Sequence, residues 1–210
     1  MSDTKSVQKD WTGNSNSVYK TLGASNHTEK ERQSEDWYAT DPIAIDLLCS
    51  VEKFDGDIWE NACGDGILSE RLIQHGYNVY STDLVDRGYD NNFIGEYDFL
   101  EWNDEPLAPN IVTNPPYSKS QEFIEHAMKI LPGGGKLCLF LKLQFLEGKA
   151  RKAMFQKYPP TTIYVSSSRI LCAKNGEFEK MKAGGGSAVA YGWYCWTVGV
   201  KRDPVIKWIN

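Results

Sequence analysis

The sequence predicts an α/β domain whose sheet is mostly parallel, covered by helices on both faces and finished by an antiparallel strand at one edge. Three observations carry that expectation. Asp57 to Glu60, Gly66 to His75 and Asn78 to Thr82 read as strand, helix and strand in close succession, with Gly76 closing the helix. Apolar runs at 110–114, 136–142 and 161–166 then alternate with helical stretches at 118–131 and 147–158, and alternation of this kind favours parallel neighbours joined by crossovers. The last run, 188–199, is joined to the strand before it by a Lys- and Gly-rich loop, 172–187, so these two are expected to pair antiparallel.

Taken in order, residues 1–35 are rich in Ser, Asn, Thr, Lys and Gln and hold few apolar side chains. A flexible tail is expected there, and one folded domain over 36–210. Thr40-Asp41-Pro42 supplies capping side chains and a proline suited to a first helical position, and Ile43, Ile45, Leu47 and Leu48 follow as apolar positions of a short helix. Glu52 to Gly56 links it to the first strand. In the final run Trp193, Tyr194 and Trp196 alternate as side chains filling a sheet interior do, and read as core.

At 210 residues and 41% hydrophobic content the chain suits a single sizeable core. No apolar stretch reaches the roughly 18 residues of a membrane span, and Met1 to Lys20 lacks the apolar centre of a signal peptide, so a cytoplasmic location is expected. Cys49, Cys63, Cys138, Cys172 and Cys195 are odd in number and widely spaced, which marks them as reduced core residues. His27, His75 and His126 share no ligand-like spacing with them, and no metal is expected.

Chemistry is suggested by Asn114-Pro115-Pro116-Tyr117, placed directly after the apolar Ile111-Val112-Thr113. Prolines have no N–H, so an amide followed by two of them presents carbonyl oxygens on a stiff turn with few competing donors. A planar amino group fits there, with its hydrogens on the Asn114 side-chain oxygen and the Pro115 carbonyl and its ring on the face of Tyr117. In a parallel sheet, ligands sit beyond the carboxyl ends of the strands, and three acids are expected at such ends. Glu60 closes the first strand inside Glu60-Asn-Ala-Cys-Gly64-Asp-Gly66, whose glycines let the turn press against a ligand. Asp83 closes the second, where a carboxylate commonly meets ribose hydroxyls. Asp98-Phe99 follows, a carboxylate and a ring suited to an adenine amino group and face. An acidic first turn repels pyrophosphate and favours a cationic, sugar-bearing ligand.

Charge is distributed unevenly. The net −5 argues against indiscriminate coating of nucleic acid, yet Lys142 to Lys182 holds nine Lys and Arg against three Glu, +6, which leaves −11 elsewhere. Because this stretch follows the Asn-Pro-Pro-Tyr turn, it suits a phosphate-facing rim, with Arg169, Lys174, Lys180 and Lys182 as candidate grips. Lys142, Gln144 and Glu147 lie near the same turn in sequence and carry no assigned role.

These residues resemble the Rossmann-like S-adenosylmethionine-dependent amino-group methyltransferases, and most closely the adenine-N6 DNA methyltransferases, including small phage-encoded ones in bacterial hosts. The resemblance runs from about Trp37 to Val200. It implies that Glu60, Ala62, Gly64 and Gly66 form the cofactor turn, that Asp83 and Leu84 hold the ribose and its neighbourhood, and that Asp98 and Phe99 meet the cofactor adenine. Asn114 to Tyr117 looks like the catalytic tetrapeptide, and Tyr38-Ala-Thr40-Asp-Pro42 like the segment that contacts the methionine end of the cofactor. The implied cofactor is S-adenosylmethionine and the implied partner nucleic acid, DNA foremost. Tetrapeptides of this form also occur in enzymes acting on RNA adenines or protein glutamines, and a non-catalytic nucleic-acid-binding module is a third reading. No separate target-recognition domain is visible beyond the loop 172–187 and the helix 147–158.

Overall fold

The computed structural model describes residues 38–174, 178–179 and 189–210. The expected tail, and Lys180 and Lys182, lie outside them. Along the chain come β1 (Tyr38–Thr40), α1 (Ile43–Val51), β2 (Ile58–Glu60), α2 (Ile67–Gln74), β3 (Val79–Asp83) and β4 (Phe93–Glu96). Then follow β5 (Asn110–Thr113), α3 (Ser120–Ile130), β6 (Lys136–Lys142), α4 (Arg151–Lys157), β7 (Thr162–Ser166), β8 (Cys172–Lys174), β9 (Tyr191–Thr197) and β10 (Val205–Ile209). Short 3-10 turns at Phe99–Glu101, Tyr117–Lys119 and Leu143–Leu146 follow the loops at the sheet's carboxyl side.

Among the described residues, eight strands form one sheet in the order β10-β7-β9-β6-β5-β2-β3-β4, and β1 pairs with β8 as a separate ribbon. All pairings in the large sheet are parallel except those of β9, which runs antiparallel to both β6 and β7. The expected α/β fold is therefore present, with its antiparallel element toward the expected side. The outermost strand there is β10, which the sequence did not reveal because four of its five residues are exposed and leave no inward pattern.

Period-two alternation divides the core between the two faces of the sheet. In β6, Phe140 packs on the face covered by α1 and α2, with Ile45, Leu48 and Leu72, whereas Leu139 and Leu141 face α3 with Ile124 and Ala127. In β9, Trp193 takes the first side and Tyr194 and Trp196 the second; all three are essentially buried, as their alternation indicated. The five cysteines are free and buried. At α1, the Asp41 side chain accepts from Ile43 N (3.1 Å), as its capping position suggested. Ile43, read as an apolar position of that helix, is exposed, and Ala44 takes its place in the core.

Glycine lets β9 lie deep between its neighbours. A Cβ on Gly192 would come 2.6 Å from Tyr164 O, so any larger residue would push β7 and β9 apart. This packing fixes the start of β9, and with it Tyr191, beside Lys142 at the end of β6.

Candidate active site

The carboxyl ends of β2, β3, β5 and β6 point to one side of the sheet, and Glu60, Asp83 and Asn114 stand at three of them. At the end of β2, Glu60 is 1% exposed. Its Oε2 accepts from Ser69 Oγ of α2, and Ser69 Oγ lies 2.7 Å from Ser81 Oγ of β3. Burial holds the Glu60 carboxyl well above the ordinary 4.5, against the opposing Ser69 hydrogen bond, with the negative fields of Asp83 and Asp65 adding to the rise. The turn after it wraps the end of β3: Cys63 N donates to Thr82 O (3.0 Å) and Gly64 N to Asp83 Oδ2 (2.7 Å). Asp83 Oδ1 accepts from Val85 N (3.1 Å), so both oxygens are oriented by backbone while retaining lone pairs for a ligand. Leu84 beside it is 65% exposed.

Gly66 adopts φ +79° immediately before α2, a conformation that disfavours a side chain. The ring of Tyr89 lies directly over it, so that a Cβ would fall 2.2 Å from Tyr89 Cδ2. Tyr89, which sequence reasoning missed, is held by a hydrogen bond from its hydroxyl to Glu70 Oε1 (2.9 Å). Nothing in the local pattern of 84–92 marks it, because its role comes from α2.

Asp98 accepts from Leu100 N (2.9 Å) and opens the 3-10 turn. Phe99 differs from expectation. Its ring is 2% exposed, edge-on to Trp59 (5.3 Å between centroids) and to His126 (4.9 Å), and tilted against Phe123. The protein core occupies the ring expected to face an adenine, because Phe99 begins a tight turn that folds inward.

At the end of β5 the tetrapeptide meets the β1–β8 ribbon. Asn114 Nδ2 donates to Tyr38 O (3.1 Å) and Thr40 Oγ1 (2.9 Å), and Cys172 Sγ stands 3.9 Å away. Tyr38 O can only accept, so it fixes which end of the amide is the NH2 group. The opposite end, Asn114 Oδ1, is buried and receives no hydrogen bond. Pro115 is buried and Pro116 exposed. Pro116 O accepts from Lys119 N (2.8 Å), so of the two prolyl carbonyls it is the second that is spent on the following turn.

Tyr117 is half-buried, with its hydroxyl 3.4 Å from Cys172 Sγ and its ring near Tyr191 (5.9 Å) and Tyr38 (6.4 Å). Lys142 Nζ lies 4.9 Å from the ring centroid. Burial pushes the Tyr117 phenol well above its usual range and the Cys172 thiol up to about 11, so both remain protonated near neutrality. Cys172 and Tyr191 belong to the site although their sequence context read as plain core.

Two further orphans join the halves. Asn61, next after Glu60, has both amide atoms buried and unpaired, and Thr113, just before Asn114, has an unpaired buried hydroxyl. They lie at the carboxyl ends of β2 and β5, which pair in parallel. Pro42 stands at the start of α1, two residues beyond Thr40. Arg169 is exposed in the connection after β7, and Lys174 enters the ribbon by pairing with Tyr38. Among the described residues, no group of His, Cys, Asp and Glu is placed to hold a metal ion, and no helix is long and apolar enough to cross a membrane.

No protein-family model matches the chain, and no curated protein matches its sequence. Solved structures do resemble it. A predicted O-methyltransferase from Agrobacterium tumefaciens aligns over 79% of this chain and 85% of its own, with a TM-score of 0.56 and 14% identity. A candidate class I S-adenosylmethionine-dependent methyltransferase from Listeria monocytogenes aligns over 79% of this chain at TM-score 0.54 and 15% identity, and the present chain spans 62% of it. A candidate hemolysin from Lactococcus lactis covers 76% of this chain and 88% of its own, at TM-score 0.52 and 11% identity. At these identities the likeness is one of fold, and the fold is the Rossmann-like one of class I methyltransferases.

Proposed function

We propose that this chain transfers a methyl group from S-adenosylmethionine to the exocyclic N6 of adenine in nucleic acid, with DNA as the foremost substrate. The observation that carries this reading is the state of Asn114. Its NH2 is committed to Tyr38 O and Thr40 Oγ1 while its carbonyl oxygen is buried with no donor. An unpaired buried acceptor costs about 1–3 kcal/mol, and an incoming amine hydrogen relieves that cost.

The amine of adenine is a poor nucleophile because its lone pair is delocalised into the ring. Asn114 Oδ1 and the Pro115 carbonyl together accept its two hydrogens, which shifts the nitrogen toward tetrahedral geometry and frees the lone pair for in-line attack. Catalysis is then orientation and electrostatic matching, without a strong base. The protonated states of Tyr117 and Cys172 agree with that, since neither is poised to take a proton. Because Oδ1 is buried, the target's entry requires side chains around the turn to part. A base from a duplex must flip to reach this pocket, with Tyr117 replacing lost stacking.

The cofactor's fit rests on the other half of the site. Asp83 and Asp65 lend it negative charge, the backbone from Ala62 to Gly66 forms a tight turn closed by Gly66 N on Cys63 O, and Asp83 keeps lone pairs for ribose hydroxyls. Leu84 offers an exposed apolar side chain beside them. When bound, S-adenosylmethionine supplies an electrophilic methyl group on a cationic sulfur, which suits an acidic surround. Tyr38 and Thr40 reach the same region through Asn114, in keeping with a role at the methionine end.

The test is transfer of a radioactive methyl group to adenine-rich DNA, RNA and a cell extract, with Asn114→Ala as control. Label recovered as N6-methyladenine in DNA, and absent with the variant, is the expected result. Label confined to RNA or to protein glutamine would move the substrate and keep the chemistry. Tight cofactor binding with no transfer to any of them would favour a non-catalytic binding module.

A further inference from the structure

The open surface beside the catalytic turn is continuous with a basic cleft at the far end of α4. Two adjoining hollows share Leu146. The inner one, about 570 Å³, is lined by Leu143, Gln144, Glu147 and Ala190. Leu143 and Ala190 directly adjoin Lys142 and Tyr191, the register pair that flanks Tyr117, and Leu143 N donates to Ala190 O (2.9 Å). The outer one, about 780 Å³, runs between Phe155 of α4 and the segment 201–204. Lys152, Lys201 and Arg202 line it against a single acid, Asp203. All four are exposed, in a chain whose net charge is −5. Arg202 Nη2 donates to Thr161 O at 3.4 Å, which anchors the side chain and leaves its other donors.

We propose that this groove, from Lys142 past Leu146 and Phe155 to Lys152, Lys201 and Arg202, is the track for the nucleic-acid strand that flanks the target base. The proposal rests on the reading of the protein as a nucleic-acid methyltransferase and extends it to a surface remote from the tetrapeptide. Its chemistry is that of single-strand recognition: cations for phosphates at the outer end, and the partly exposed Leu146 and Phe155 as apolar faces for bases. A duplex is too broad and stiff to settle into two such hollows, whereas a single strand turns at each phosphate. A strand in the outer cleft also draws the target toward Lys142 and Tyr117, and it does so with cations from two parts of the chain, Lys152 from the basic stretch and Lys201 and Arg202 from beyond it.

The experiment measures binding of fluorescent single-stranded 12-mer DNA over a range of salt concentrations, for wild type, Lys152→Glu/Lys201→Glu and Phe155→Ala. Binding of S-adenosylhomocysteine by each variant serves as the check on folding. The charge reversal is expected to weaken the 12-mer at least about tenfold and to lower the slope of log affinity against log salt by about one to two. Phe155→Ala is expected to weaken it about five- to tenfold with the slope unchanged. Retention of wild-type affinity and slope in the reversed variant would overturn the track and place the strand elsewhere. Failure of the wild-type protein to bind any strand would overturn both this proposal and the nucleic-acid reading beneath it.

Discussion

The two halves of the carboxyl edge treat buried polar groups in opposite ways. At the ends of β2 and β3 the carboxylates are supported from within: Ser69 donates to Glu60, and backbone N–H groups donate to both oxygens of Asp83. At the end of β5 the donors of Asn114 are consumed by Tyr38 and Thr40, and its acceptor is left with nothing. The first half is organised before a ligand arrives, and a ligand adds bonds to lone pairs that remain. The second half holds an unmet demand, which only a donor of the right shape can satisfy. On the proposed reading, binding and reaction therefore draw on different reserves.

Asn114→Ala gives the largest separation of the halves. Transfer is expected to fall about 10²- to 10³-fold in kcat while cofactor affinity stays within about twofold, measured by initial rates and calorimetry. A parallel loss of cofactor affinity would mean that the halves are one unit. Asp83→Ala is the reciprocal test: cofactor affinity should drop about 10- to 100-fold, as expected for loss of a charged hydrogen-bonding partner, with a smaller change in rate at saturation. Tyr117→Ala should raise KM for the target about tenfold by removing a stacking face, and an unchanged KM would remove that role.

The smallest effect concerns pH. Glu60 is held above its ordinary 4.5 by burial, so the folded protein keeps a proton that the unfolded chain releases. Its favourable contribution is complete below that ordinary value and is lost as pH climbs toward the folded one, at up to about 1.4 kcal/mol per pH unit. Glu60→Gln cannot ionise. Urea unfolding at pH 4, 6 and 8 should therefore show the variant gaining on wild type as pH rises, and parallel curves would mean that the carboxylate is better solvated than its burial implies.

Much of the first half was legible in sequence because its signals are local: a glycine turn between two strands and an acid closing each. The tetrapeptide was legible for the same reason, since Pro-Pro after an apolar run marks a strand end. What settles the second half was not. β1 and β8 are three residues each, too short for any period to register, and Cys172 stands in an apolar run that reads as core. Phe99 misled because a ring beside an acid carries no mark of which way its turn will fold. The edge strand β10 was missed because four of its five residues are exposed and leave no inward pattern, and β4 because its alternation spans only four residues, with Gly95 on the inner side and Ile94 on the outer.

The β1–β8 ribbon has a consequence for how the protein comes to be active. Asn114 is oriented by groups 74 and 76 residues earlier in the chain and stands beside a thiol 58 residues later. A polypeptide truncated between β7 and β8 still holds the glycine turn, Asp83 and the whole tetrapeptide, yet it lacks the strand that pins Tyr38 and Thr40 in place. On the proposed reading, competence is thus a property of the longer chain: the amide that aims the reaction is set only when two distant segments have met across it.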